Sequence, residues 1–136
     1  MKVVLDTNVF VSSFFGGYPR QIADLWAANK IQLCLSRPIV REYADVLERW
    51  GLSEELSELL ALFARGHSCL FTSKTPDLQV VSDDGDDDKF IECAVALKAA
   101  HIASGDKHLL RVEEYMGIEI VSPRAFVEFY NSSQKS

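Results

Sequence analysis

Apolar residues arrive along this chain in short blocks of two kinds, and their alternation points to a fold. Residues 2–5, KVVL, form a short apolar run that stops at the turn-favouring DTN, the pattern of a buried strand. IQLCL, at 31–35, reads as a second. Between them FFGGYP reads as a loop punctuated by Gly16, Gly17 and Pro19, leading into a helix from about Arg20 with Ile22, Leu25 and Trp26 on one face. Ser36 is placed to cap the next helix, with Pro38 in its first turn, an apolar stripe of Ile39, Tyr43, Val46, Leu47 and Trp50, and Gly51 at its end. Ser53 is placed to cap a third, whose inner face is Leu56, Leu59, Leu60 and Phe63, with Gly66 as its stop.

The stretch 68–81 offers two short strands, CLF and LQVV, separated by Pro76. A helix then carries Phe90, Ile91, Ala94 and Leu97 at helical spacing. HIAS reads as a buried strand, GDKHLL as a turn into a short helix, IEIV as an edge strand and SPRAFVEFY as a closing helix capped by Ser122. The pattern predicts one domain over residues 1–130 and a disordered tail, NSSQKS, at 131–136. Strands alternating with helices predict an α/β fold, a mostly parallel sheet covered on both faces. In such sheets functional residues gather beyond the carboxyl ends of the strands.

That rule directs attention to the acids. SDDGDDDKF puts five aspartates into six positions just before an apolar helix, a crowding that repels itself. Asp6 stands where the first strand ends, and Asp106 just after HIAS. Glu42 lies one turn into the helix after the second strand, and Asp87 and Asp88 begin the helix that must start at the same edge. Four chain segments therefore bring acids to one rim. A hard divalent cation with oxygen ligands, magnesium or manganese, tolerates such a cluster and can assist attack on a phosphodiester. Helical projection puts Asp87 toward the sheet and Asp88 on the flank, one turn below Glu92, and both stay candidates. Asp83, Asp84 and Asp86 read as a solvated loop and helix cap. A calcium EF-hand is excluded because Val80 stands where the first ligand should be.

Composition narrows the picture further. A chain of 136 residues, 48% apolar and 25% charged, suits one soluble domain with a real core. No apolar run is long enough to span a membrane, and MKVVLD meets a charge too early for a signal peptide. Three cysteines, Cys34, Cys69 and Cys93, without metal-type spacing suggest free thiols in a reducing cytoplasm. The net charge of −6 means that a polyanion would be met through bound cations or a local basic patch. Arg20, Arg37, Arg41, Lys89 and Lys107 are the candidates near the rim; charge balance for the acids is the competing reading. Phe14 and Phe15 could be a docking patch or core, and the scattered histidines, His67, His101 and His108, receive no role.

VVLDTNVFVSSF, the glutamate of RPIVREYADVL, DDDKFIECAVA and IASGDKHLL, in that order, resemble the acidic motifs of the PIN-domain nucleases. The resemblance spans Met1 to about Phe126 and is strongest to the VapC-like bacterial and archaeal toxins of toxin–antitoxin pairs. It implies a three-layer α/β/α sandwich and a metal-dependent endoribonuclease acting on RNA with Mg²⁺ or Mn²⁺, held in check by a cognate antitoxin protein, with a homodimer as a family trait. Matched residue by residue, it makes Asp6, Glu42, Asp106 and either Asp87 or Asp88 the catalytic acids, with Asp6, Asp87, Asp88 and Asp106 as metal ligands. It adds Asn8 and Ser104 as small polar supports. SGDKHLL lacks the further acid the family often carries after Asp106, so a second metal would rely on Asp87, Asp88 or Glu92.

Two other readings compete. A dehalogenase-like phosphatase wants an acid two residues after Asp6, where Asn8 stands, and a phosphoryl-receiver domain wants an acidic pair at its first strand. A catalytically inactive binding module for RNA or protein would have no reason to keep a repulsive cluster.

Overall fold

The computed structural model describes residues 1–81 and 85–134, so the expectations for Asp83 and Asp84 lie outside the described residues. Six strands form one sheet in the order β3-β2-β1-β4-β6-β5, where β1 is Lys2–Leu5, β2 Gln32–Ser36, β3 Cys69–Thr72, β4 His101–Ala103, β5 Glu114–Tyr115 and β6 Ile118–Val121. All pairings are parallel except β5 with β6. Val3, Val4 and Leu5 of the central strand are buried, as an apolar run with no polar alternation requires. The chain first moves outward from β1 through β2 to β3 and then returns to β4 on the other side of β1. Right-handed crossovers in opposite directions put their helices on opposite faces, which makes the three-layer α/β/α sandwich.

The helices are α1 (Thr7–Ser12), α2 (Gly17–Ala27), α3 (Arg37–Arg49), α4 (Ser53–Ala64), α5 (Asp88–Leu97), α6 (Lys107–Leu110) and α7 (Pro123–Ser133). Several depart from the sequence pattern. DTN begins α1 instead of a turn, because the Asp6 side chain accepts from Val9 N and Val9, Phe10 and Val11 are buried. Ser36 holds the N-cap position of α3 without a side-chain cap bond, and Ser53 lies inside α4, whose N-cap is Leu52. LQVV is no strand: its backbone amides go to side chains, Leu78 N to Glu92 Oε2 at 2.9 Å, and Val80 N and Val81 N to Asp88 Oδ1 at 3.0 and 2.8 Å. IEIV is not the edge, since the two residues of β5 pair outside it. The Ser122 cap is as expected, its side chain accepting from Ala125 N at 3.1 Å. Helix α7 runs on through Asn131–Ser133, the start of the expected tail, with the Ser133 hydroxyl donating to the Tyr130 carbonyl at 2.7 Å.

One contact fixes the geometry beside the strand ends. Phe10 of α1 stacks on Tyr43 of α3 with ring centroids 3.9 Å apart, and the Tyr43 hydroxyl donates to the Leu5 carbonyl at 2.5 Å. Two helices and the last residue of β1 are thereby tied together immediately behind Asp6. Truncating either ring would cost about 3–5 kcal/mol.

Candidate active site

Asp6 directly follows the last residue of β1, and its backbone still pairs with β4 through Asp6 N to Ala103 O at 3.1 Å. Its side chain is 3% exposed and accepts from three donors: Val9 N at 2.8 Å on Oδ1, and Gly105 N at 3.3 Å and the Ser104 hydroxyl on Oδ2. Burial pushes its carboxyl above the usual range; those hydrogen bonds oppose the shift, and the nearby Asp106 charge adds to it. A carboxylate has about four lone-pair positions, so three bonds leave capacity for a cation.

Ser104 joins the two strand-end acids. Its hydroxyl donates to Asp6 Oδ2 and accepts from Asp106 N at 2.9 Å. Asp106 in turn caps α6, taking His108 N at 2.7 Å. Because β1 and β4 are neighbours where the strand order reverses, Asp6 and Asp106 flank the topological switch point.

The remaining acids approach from the helices. Glu42 accepts from the Thr7 hydroxyl on Oε1, and Lys89 Nζ lies 2.5 Å from its Oε2. Asp87 ends the 3₁₀ turn Gly85–Asp87 that leads into α5. A cavity of about 260 Å³ is lined by Asp6, Thr7, Asn8, Glu42, Val46, Arg49, Asp87, Phe90 and Asp106. The four acidic segments thus meet, as do Asn8 and, one bond behind, Ser104.

Other candidates lie elsewhere. Asp88 is buried and holds the 80–81 backbone, and Glu92 holds Leu78, so neither lines the cavity. Successive helical residues are about 100° apart, which sends Asp87 and Asp88 in different directions. Asp86 is exposed in the same 3₁₀ turn. Arg20 pairs with Asp24 at 3.3 Å and lines a different cavity, while Arg37, Arg41 and Lys107 are exposed and line no part of this one. Sequence reasoning missed Thr7 and Arg49. The spacing of Arg49, seven residues after Glu42 on the same helical face, was a usable signal.

Oxygen donors dominate the lining, which suits a hard divalent cation. Among the described residues, no three His, Cys, Asp or Glu side chains are already gathered as a metal-holding group; the acids ring the cavity without closing on a point. A larger, mostly apolar cavity of about 430 Å³ beside α2 and α4 includes Trp26, Leu59 and Leu62, and none of the clustered acids reaches it. Its size does not make it the chemical site, because it lacks a convergent polar set. Cys34 and Cys93 are buried and Cys69 half-buried, all free thiols, with burial pushing them up to about 11, 12 and 11 respectively.

The chain is 32% identical to an uncharacterized protein of Methanocaldococcus jannaschii, over 94% of this chain and 90% of that one. No solved structure matches it significantly. Among the described residues no helix is long and apolar enough to cross a membrane. The PIN-domain family profile matches residues 2–108, and PIN domains are in general nucleases that use divalent metal ions on RNA or DNA. The match covers well over half of the sequence, and on that ground the chain belongs to the PIN-domain family.

Proposed function

We propose that the protein is a Mg²⁺- or Mn²⁺-dependent endoribonuclease, with Asp6, Asp87 and Asp106 as metal ligands and Glu42 as the fourth catalytic acid. The observation that carries this reading is the meeting of four separate acidic segments at one cavity beyond the carboxyl ends of parallel strands. A divalent cation would supply Lewis acidity toward a phosphodiester and make a water molecule more acidic there. The chain's own residues do the positioning. Ser104 fixes the separation of Asp6 and Asp106, Thr7 and Lys89 orient Glu42, and Phe10 on Tyr43 keeps α1 and α3 in place around it. Asp88 and Glu92 belong to the scaffold in this reading, since their oxygens serve backbone amides.

The toxin role in a toxin–antitoxin pair rests on the motif resemblance. The apolar cavity beside α2 and α4, with Asp24, Glu55 and Glu58 in its lining, would suit an apolar segment with basic flanks and so supports an antitoxin partner. Cytoplasmic action is the accompanying expectation, and free thiols fit it.

The test is cleavage of labelled single-stranded RNA with Mn²⁺, Mg²⁺ or EDTA, beside Asp6→Asn and Asp106→Asn. Metal-dependent cutting lost in both variants is expected. Cutting that survives both would overturn the assignment. Metal binding without cutting of single-stranded RNA or tRNA would favour an inactive binding module.

A further inference from the structure

The helix that carries Glu42 ends at one ring of an exposed aromatic pair. The lining of the acid cavity on α3 is Glu42, Val46 and Arg49, spaced four and then three apart, which is one helical face. On α1 the corresponding exposed positions are Asn8 and Ser12, and Phe15 comes three residues later in a turn where Phe15 N donates to Ser12 O at 2.9 Å. Arg49 lines the cavity, and the next residue, Trp50, meets Phe15 with ring centroids 5.9 Å apart and planes at 47°. Both side chains are 64% exposed. The neighbouring Phe14 turns inward and meets Phe10 edge-on, so the Phe14–Phe15 pair splits between core and surface.

We propose that Phe15 and Trp50 form a stacking platform for an unpaired base, with Arg49 meeting a phosphate between the platform and the acids. The inference rests on the nuclease reading and names its substrate class as single-stranded RNA. Every base has a π-face that an aromatic ring can cover, and a duplex hides it. Arg49 makes no ion pair with another described residue, which leaves its guanidinium for a phosphate. From Glu42 to Trp50 the helical rise is about 12 Å, close enough for one short strand to reach both. Asp45 and Glu48 share the outer side of α3 with Arg49, and the chain carries −6 overall, so charge adds little. Stacking supplies most of the affinity, and the dependence on salt is shallow.

The experiment adds an unstructured uridine octamer to the whole protein, with Ca²⁺ as counter-ion for the acids, reading affinity by titration calorimetry and base stacking by tryptophan fluorescence of the proteins that retain Trp50. Trp26 is buried and Trp50 exposed, so stacking quenches Trp50 selectively. Phe15→Ala and Trp50→Ala each weaken binding roughly tenfold, and Trp50→Tyr restores most of it. An octamer of abasic sugar-phosphate does not quench, and a hairpin duplex binds as weakly as the Trp50→Ala variant does. Equal affinity for duplex and single strand, no quenching, or unaltered binding in Trp50→Ala would each overturn the platform. So would a Trp50→Ala variant whose only change is loss of a dimer in sedimentation, since the surface would then join copies of the chain. Cleavage is read separately. Metal-dependent cutting with an unchanged KM in Trp50→Ala removes the platform and leaves the nuclease, whereas quenching without any cutting removes the nuclease and leaves the platform.

Discussion

Lys89 and Glu42 pair across two helices, with the ammonium of a residue in the first turn of α5 lying 2.5 Å from a carboxylate on α3. Lys89 is only 15% exposed, so it is held in place and partly desolvated. It lies outside the lining of the cavity, behind the acid it holds. Lys89→Met should therefore cost roughly 1–2 kcal/mol, since the Glu42 carboxylate loses its ammonium partner. A urea double-mutant cycle with Glu42→Gln checks this. Strict additivity of the two variants would show that the pair contributes nothing.

Asp6 is a charge kept under tension in the metal-free protein. Its folded pKa is raised, so the folded state binds the proton more tightly than the unfolded chain. The contribution of Asp6 is thus most favourable below the ordinary carboxyl value and is lost as pH rises through the folded value. Asp6→Asn, which gives up the Oδ2 acceptor of Ser104 and Gly105, should flatten this loss of metal-free stability with rising pH and abolish stabilisation by Mn²⁺. Thermal melts with EDTA and with Mn²⁺ read both effects. A variant whose stability in EDTA still falls with rising pH as the wild type's does would refute the account.

Asp87 and Asp88 separate by different losses. Asp88→Ala removes the acceptor of two backbone amides and should cost about 2–3 kcal/mol, with Mn²⁺ affinity of the folded protein intact. Asp87→Ala should instead weaken Mn²⁺ binding at least tenfold. Calorimetric titration of both variants decides it, and the opposite pattern would exchange their roles.

His101 gives stability an acid limit distant from the cluster. Burial between Phe126 and Phe129 lowers its pKa, only partly opposed by Glu119 at 3.6 Å. The unfolded chain binds the proton more readily, so stability falls as pH drops below about 6.5 and continues to fall until the folded value is passed. His101→Phe should flatten that part of the profile, measured as urea midpoint against pH.

Much of this was legible in the sequence because local rules were sufficient. The apolar KVVL and HIA runs could only be buried strands, and parallel pairing then forced Asp6 and Asp106 to the same edge. Helical projection turned Asp87 toward the sheet but left Asp88 a candidate beside it, and of the two Asp87 lines the cavity. What failed depended on contacts distant in the chain. LQVV has strand composition, but Asp88 and Glu92 satisfy its amides in place of a neighbouring strand. DTN has turn composition, but the Asp6 cap and the burial of Phe10 against Tyr43 make residues 7–12 helical. The two-residue β5 was too short to leave any periodic signal. Lys89 was read as a cation near phosphates or as charge balance for the acids, and its pairing with Glu42 fits the second, though an ion pair between residues 47 positions apart in sequence (89 − 42 = 47) could not be named in advance.

The Ser104 hydroxyl that joins Asp6 to Asp106 divides the site into halves of unequal stiffness. Those two acids are anchored to the middle of the sheet, where opening requires breaking the β1–β4 ladder, and amide protons there should exchange only with global unfolding. Glu42 and Asp87 are carried by helices instead. Since the acids ring the cavity without converging, any tightening around an ion falls to those helices, with the strand ends serving as the fixed jaw. Ion binding should accordingly slow hydrogen exchange in the first turn of α5 by more than the uniform slowing that overall stabilisation gives to β1 and β4.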